Sequence, residues 1–337
     1  MPPLIYINIY STHWLTMYSS DELLQKVNAA LHANTFHRQP ETLYEPIRYA
    51  LSMGGKRLRP VLLLMAYNLY RDDVTPALNT ALGVETYHNF TLLHDDLMDR
   101  AEYRRGKPCV HRVWNDNAAI MSGDTMLMLA ARHVAQTGMF NLMDYFLDIA
   151  VQVYEGQQYD MEFETRNDVT EDEYMEMIRL KTSVLLAGAL KLGAMQADAP
   201  LSDQEALYAF GEKLGLAFQL QDDYLDVYGD FATFGKRPGG DILCNKKTFM
   251  LINALRMATP AQHALLQHWL DATDYDPAEK VSAVTGLYDE IGVAAVARHK
   301  MDECYALAEQ SLARVDVAEE RKQILLQYAR SMMNREA

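Results

Sequence analysis

A chain of 337 residues with a formal net charge of -15, and no uninterrupted apolar run near the ~20 residues of a helical membrane span, excludes wholesale binding to nucleic acid or an anionic membrane. With 49% hydrophobic residues it can bury a large core, and its 17 glycines and 11 prolines form no dividing linker, so one domain over residues 21–337 is expected. Cys109, Cys244 and Cys304 are scattered without a CxxC pair, which suits a reducing, cytoplasmic location.

Residues 1–20 carry no Lys, Arg, Asp or Glu, and Asn8, Ser11, Thr12 and His13 interrupt any signal-like apolar stretch, so they read as a disordered leader, with Met17 an alternative start. From Asp21 the apolar period is three to four residues, which predicts an all-α protein, a large helical bundle around a central cavity. Asp21 opens a first helix, and a second runs through Ile47 and Leu51 to a Gly54-Gly55 stop. Three cations follow in Lys56-Arg57-Leu58-Arg59-Pro60, with Pro60 in the first turn of a helix reaching Tyr70. Thr75-Pro76 is read as the cap of the next helix, on which Val84, His88, Leu92, Asp95 and Asp99 share a face. A basic turn, Arg104-Arg105-Gly106-Lys107-Pro108, comes next, and then helices over Ala118 to Thr137 and Leu142 to Glu164. Thr170-x-x-Glu173 and Ser202-x-x-Glu205 are read as capping boxes, the first opening the helix with Lys181-Thr182, the second opening the helix that ends at Asp222-Asp223-Tyr224-Leu225-Asp226. A break from Gly229 to Asp241 holds Lys236 and is expected to act as a lid. Amphipathic packing helices fill the remainder, from Lys246 to Met333.

In Asp-Asp-x-x-Asp the outer acids stack one turn apart and the middle one lies ~100° round the helix. Like charges on a half-buried face resist ionising unless a cation is present. Oxygen ligands without His or Cys select a hard ion, Mg²⁺ with Mn²⁺ as substitute, and Mg²⁺ completes its shell with water and phosphate oxygens. A phosphorylated substrate is therefore expected. One such motif is most often a solvated helix end; two, each closing a long apolar helix and each followed by basic residues, argue for a site.

The chain resembles the trans-isoprenyl diphosphate synthases of the polyprenyl synthetase family, short-chain type, from about Leu24 to the C-terminus. The resemblance is carried by Gly54-Gly55-Lys56-Arg57-Leu58-Arg59-Pro60, by Asp95 to Asp99 with Arg104-Arg105-Gly106, by Lys181-Thr182, by Gln219 to Asp226, and by Gly239-Gly240-Asp241-Ile242. It implies a prenyltransferase that condenses isopentenyl diphosphate head to tail with an allylic diphosphate (dimethylallyl, geranyl or farnesyl). Three Mg²⁺ ions would sit between Asp95, Asp96, Asp99 and Asp222, Asp223, Asp226, with Arg104, Lys181 and Lys236 neutralising the departing diphosphate. Lys56, Arg59, His88 and Arg105 would hold the metal-free isopentenyl diphosphate. Thr182, Gln219 and the Lys181 carbonyl would flank the cation. Lys246 matches a family lysine, Gln157 and Asp160 stand behind the ligands, and Arg57 is read as a solvated neighbour. A homodimer is also implied.

Phe90 lies five residues before Asp95, ~7.5 Å deeper along the helix, and resembles the floor of short-chain members, with the small Thr91 beside it. A trans C15 to C20 product is expected, farnesyl or geranylgeranyl diphosphate. The rivals are a class I terpene synthase, opposed by the Gly-Gly-Lys-Arg segment, and a non-catalytic regulatory subunit, opposed by two intact acidic motifs.

Overall fold

The computed structural model describes residues 17–34, 36–229 and 238–333, so Lys236 and most of the expected lid lie outside the described residues. The expected all-α architecture is observed. Met17 to Ser20 already belong to the fold: the Tyr18 amide donates to Asn68 Oδ1 at 2.8 Å, and Ser19 caps α1 (Ser20–Ala33) in a reciprocal box with Glu22. The expected leader is therefore ordered over its last four residues.

α2 (Glu41–Ser52) stops before Gly54 and Gly55, both at positive φ, and α3 (Leu58–Asn68) follows. α3 is apolar on every side and buried from Pro60 to Asn68, as a helix in the middle of a core must be. A 3₁₀ turn, Thr75–Ala77, leads into α4 (Leu78–Met98). The expected Thr75 cap is absent: Ala77 stands at the cap position of α4 with no capping side chain, and Thr75 instead donates its amide to the Asp73 carboxylate at 3.0 Å as the 3₁₀ turn begins. After α4 come a two-residue hairpin, β1 (Tyr103–Arg104) with β2 (Lys107–Pro108), the short α5 (Val110–Val113), α6 (Asp116–Ala135) and α7 (Phe140–Thr165).

α8 (Glu171–Ile178) carries the expected Thr170–Glu173 capping box and runs into a π-helical turn, Arg179–Ser183, before α9 (Val184–Gln196). α10 (Leu201–Tyr228) starts one residue before Ser202, with Pro200 at the cap position and no capping side chain. The Ser202 box is therefore absent: Ser202 is already inside the first turn, and Glu205 pairs with Lys191 at 2.6 Å. Among the described residues the remaining helices are α11 (Gly240–Leu243), α12 (Phe249–Met257), α13 (Pro260–Asp271), α14 (Pro277–Ile291), α15 (Val293–Ala313) and α16 (Glu319–Met333). α12 begins after Lys246, which leaves that lysine on a loop.

Two clusters of buried side chains hold these helices. One gathers α3, α4, α6, α7 and α9, and the other α8 with α12 to α15. α10 serves both: Leu207, Phe210 and Leu214 enter the first, and Leu216, Leu220 and Val227 the second. Each such buried side chain contributes roughly 1.5–3 kcal/mol. Close approach at the π turn depends on missing side chains. A Cβ at Gly156 of α7 would run into the Lys181 backbone, and one at Gly215 of α10 would lie 2.7 Å from Ser183 Cα.

Candidate active site

α4 delivers the first acidic motif with its three carboxylates in different settings. Asp95 is half-buried, Asp96 is 4% exposed, and Asp99 caps the helix in solvent. The chain then doubles back through the hairpin, whose turn residues Arg105 and Gly106 both have positive φ, the requirement of a tight two-residue turn. This brings Arg104 beside the helix it has just left. Its Nε donates to Asp96 Oδ1 at 2.7 Å, and a terminal nitrogen lies 3.6 Å from Asp95 Oδ2. Burial pushes the Asp96 carboxyl above its ordinary range, with Arg104 opposing.

The second motif also divides. Asp223 is 4% exposed and fully engaged: Oδ2 accepts from the Tyr174 hydroxyl and, at 3.3 Å, from the Phe249 amide, while Oδ1 accepts from Gln219 Nε2 at 3.2 Å. Burial, aided by the nearby Asp241, pushes its pKa up to about 7. Asp226 Oδ2 accepts from the Asp241 amide at 2.9 Å and so fixes the start of α11. Asp222 is half-buried, and its charge acts on Arg59. Expectation treated the three alike; the structure places Asp223 and Asp226 in bonds that tie α10 to α8, α11 and α12.

Lys181 and Thr182 join the two motifs. Lys181 Nζ lies 3.2 Å from Asp95 Oδ1 and 2.5 Å from Asp160 Oδ2, while the Thr182 hydroxyl donates to Gln219 Oε1 at 3.2 Å. Lys246 Nζ stands 3.8 Å from the same Asp160 oxygen. Burial raises the Asp160 pKa, but Lys246 and Lys181 outweigh it and hold the carboxyl below its ordinary value. Asp160 is thus in direct contact with both lysines, nearer the centre than expected. Tyr174 was missed by sequence reasoning; lying two turns before Lys181 on one helical run, it could have been found by that spacing.

A cationic wall faces these acids. Arg59 donates from a terminal nitrogen to His88 Nε2 at 3.0 Å, and since guanidinium only donates, His88 is neutral with its proton on Nδ1. Burial, with the charges of Arg59, Arg105 and Arg104, holds His88 well below the usual histidine value. Burial also lowers Arg59 to about 10. Arg105 reaches the Gly54 carbonyl, and Lys56 is exposed on the neighbouring loop. Arg57 overturns its expectation: its side chain is 5% exposed, and it donates to Glu85 Oε1 at 2.6 Å and to the Leu51 carbonyl at 2.7 Å. Glu85 on the inner face of α4 supplies the buried partner that a solvated arginine would not need.

Below the acids Phe90 is buried, its ring 4.8 Å from His94, 5.6 Å from Tyr87 and 6.1 Å from Tyr154. The Thr91 hydroxyl bonds the His88 carbonyl of its own helix at 2.8 Å.

Among the described residues no three His, Cys, Asp or Glu side chains already converge on one point. The residues nevertheless fit a hard divalent cation. The donors are all oxygen, and Mg²⁺ needs only one or two carboxylates when substrate phosphates complete its shell. Burial first, and the neighbouring Asp241 second, disfavour the charge on Asp223, and a nearby cation would offset both.

The sequence profile of the polyprenyl synthetase family matches residues 40–287. A geranylgeranyl diphosphate synthase of Methanosarcina mazei is 41% identical over 68% of this chain and 72% of its own. A geranylfarnesyl diphosphate synthase of Natronomonas pharaonis is 36% identical over 68% and 73%. The crystal structure of a geranylgeranyl pyrophosphate synthase superimposes with a TM-score of 0.90 at 39% identity, covering 95% of this chain and all of that one. A profile spanning most of the chain, with motifs that the fold gathers around Lys181 and Thr182, makes this chain a member of the polyprenyl synthetase family.

Proposed function

We propose that the protein is a prenyltransferase that condenses isopentenyl diphosphate with an allylic diphosphate, giving a trans prenyl diphosphate of C15 to C20 and diphosphate. The observation that carries this is the Lys181-Thr182 pair. Adjacent residues touch the first acidic motif through Asp95 and the second through Gln219, so both helix ends face one reaction space. Divalent ions, three Mg²⁺ by family resemblance, supply charge neutralisation for the departing diphosphate. Asp95, Asp99 and Asp222 would hold them, while Asp96, Asp223 and Asp226 keep that set in place through Arg104, Tyr174 and the Asp241 amide. Arg104, Lys181 and Lys236 hold the allylic diphosphate and balance the charge that grows on it. Lys56, Arg59, His88 and Arg105 bind isopentenyl diphosphate, and Lys246 fixes Asp160 against Lys181. The Thr182 hydroxyl, the Gln219 amide and the Lys181 carbonyl face the allylic cation.

Phe90, closed over by Tyr87 and Tyr154, is the proposed floor for the growing hydrocarbon, and the C20 end of the range is favoured by the relatives' names. Phe90→Ala should shift the products to longer chains, read by chromatography of the dephosphorylated alcohols; an unchanged distribution removes Phe90 as the ruler. The chain from Asp21 to Ala337 would be one cytoplasmic domain, active as a homodimer. Incubation with labelled isopentenyl diphosphate, each allylic primer in turn and Mg²⁺ tests the whole assignment. Elongation with at least one primer, abolished by a chelator, is expected. Primer ionisation without isopentenyl uptake would instead indicate a terpene synthase.

A further inference from the structure

We infer that the buried Arg57–Glu85 pair positions the cationic wall that receives the metal-free diphosphate, so that two residues outside the binding set decide how tightly it binds. This rests on the assignment of Lys56, Arg59, His88 and Arg105 to isopentenyl diphosphate.

Arg57 stands in the left-handed region, φ 50°, at the entry to α3, and its two terminal nitrogens reach in different directions. One holds the Leu51 carbonyl in the last turn of α2, and the other holds Glu85 in the middle of α4. The loop of residues 52–56 is thereby pinned at its base, and that loop presents Lys56 and the Gly54 carbonyl that Arg105 grips. The fit at Gly55 is close: a Cβ there would lie 2.7 Å from the Arg105 guanidinium carbon. Any drift of the loop therefore displaces Arg105 as well.

Glu85 contributes a second effect. Asn89 Nδ2 donates to Glu85 Oε1 at 2.8 Å and fixes the carboxylate, and Glu85 is 1% exposed. Its charge supports the cationic forms of both Arg59 and Arg105 against burial and against the neighbouring guanidinium groups. Burying an ion pair is a weak source of stability, because desolvation consumes most of the attraction. What the pair supplies here is a fixed loop and a counter-charge behind a wall of four cations or cation partners that would otherwise spread apart.

The test is steady-state kinetics on the full-length enzyme with three variants. Removing one partner alone would strand the other charge, so the main variant is R57M/E85Q, which neutralises both. The KM for isopentenyl diphosphate should rise about tenfold, while kcat and the KM for the allylic primer stay within about twofold and the melting temperature holds. R57K, which keeps the charge but not the two-pronged fork, should shift the same KM in the same direction. K56A reports on the site itself and should also raise that KM. If K56A raises it and neither R57M/E85Q nor R57K does, the positioning role is wrong and the site assignment stands. If K56A leaves it unchanged, the site assignment fails and this inference fails with it. A purely structural pair would lower the melting temperature and the active fraction without moving KM.

Discussion

Asp95 and Asp223 belong to like motifs but do different work. Asp95 is half-buried and faces two cations, whereas both oxygens of Asp223 are taken by Tyr174, Gln219 and the Phe249 amide. Asp95→Ala and Asp222→Ala should therefore lower kcat by ~10²-fold or more with the melting temperature preserved. Asp223→Asn should act first on stability, by about 1–3 kcal/mol in denaturant titration, because buried partners lose their acceptor. Equal thermal shifts in all three variants would contradict this division. His88 gives a pH prediction. Its folded pKa is held far below the ordinary 6.5, so as pH falls through 6.5 the unfolded chain takes a proton that the folded chain refuses. Stability should accordingly rise with pH in the window below 6.5, and His88→Gln should flatten that slope in melting curves recorded from pH 5 to 8. The unequal roles of the six aspartates could not be seen in the sequence, where only spacing is visible. Arg57 misled for the same reason: beside Lys56 and Arg59 it read as a solvated neighbour, and the clue lay elsewhere, in Glu85 among the apolar residues Ala81, Leu82 and Val84.

At the scale of elements, the π-helical turn between α8 and α9 sets where Lys181 and Thr182 point, and α7 and α10 close on it through Gly156 and Gly215. Gly156→Ala should push α7 away from the turn and with it Asp160 from Lys181. A loss of about 1–3 kcal/mol by urea unfolding is expected from such overpacking, together with a fall in kcat. An alanine variant with normal stability and rate would show that α7 can shift at no cost. Helix existence was legible because apolar period and caps agreed, as at Thr170, whereas the Ser19 cap lay in the stretch read as a leader. The Ser202 box failed because Pro200 sets the cap position two residues earlier, and pattern alone does not show which of two start signals prevails. The π turn left no signal in the apolar period, although Gly156 and Gly215 mark where α7 and α10 come close to it.

For the whole molecule, α6 exposes Met121 and Met128, and α7 exposes Leu147, Val151, Tyr154 and Met161, side chains spaced so that each helix carries an apolar outer stripe. Such stripes suit burial against a second copy, which supports the proposed homodimer. Met128→Glu with Val151→Glu should give a monomer by light scattering after size exclusion, and an unchanged dimer would move the interface elsewhere. The gathering of distant motifs around Lys181 and Thr182 was legible through their resemblance to a family rather than through any physical rule of sequence. No helix among the described residues is long and apolar enough to cross a membrane.

Like α15, which is shared through Leu312 and Ala297, α10 has an inner face divided between the two buried clusters, with Phe210 in one and Leu220 in the other, and its tip bears Asp222. Neither half of the protein can loosen alone without stripping apolar cover from this helix. Asp222 therefore hangs from a helix that both clusters hold, and motions that admit substrate are expected in the loops around α10 rather than in the helix itself.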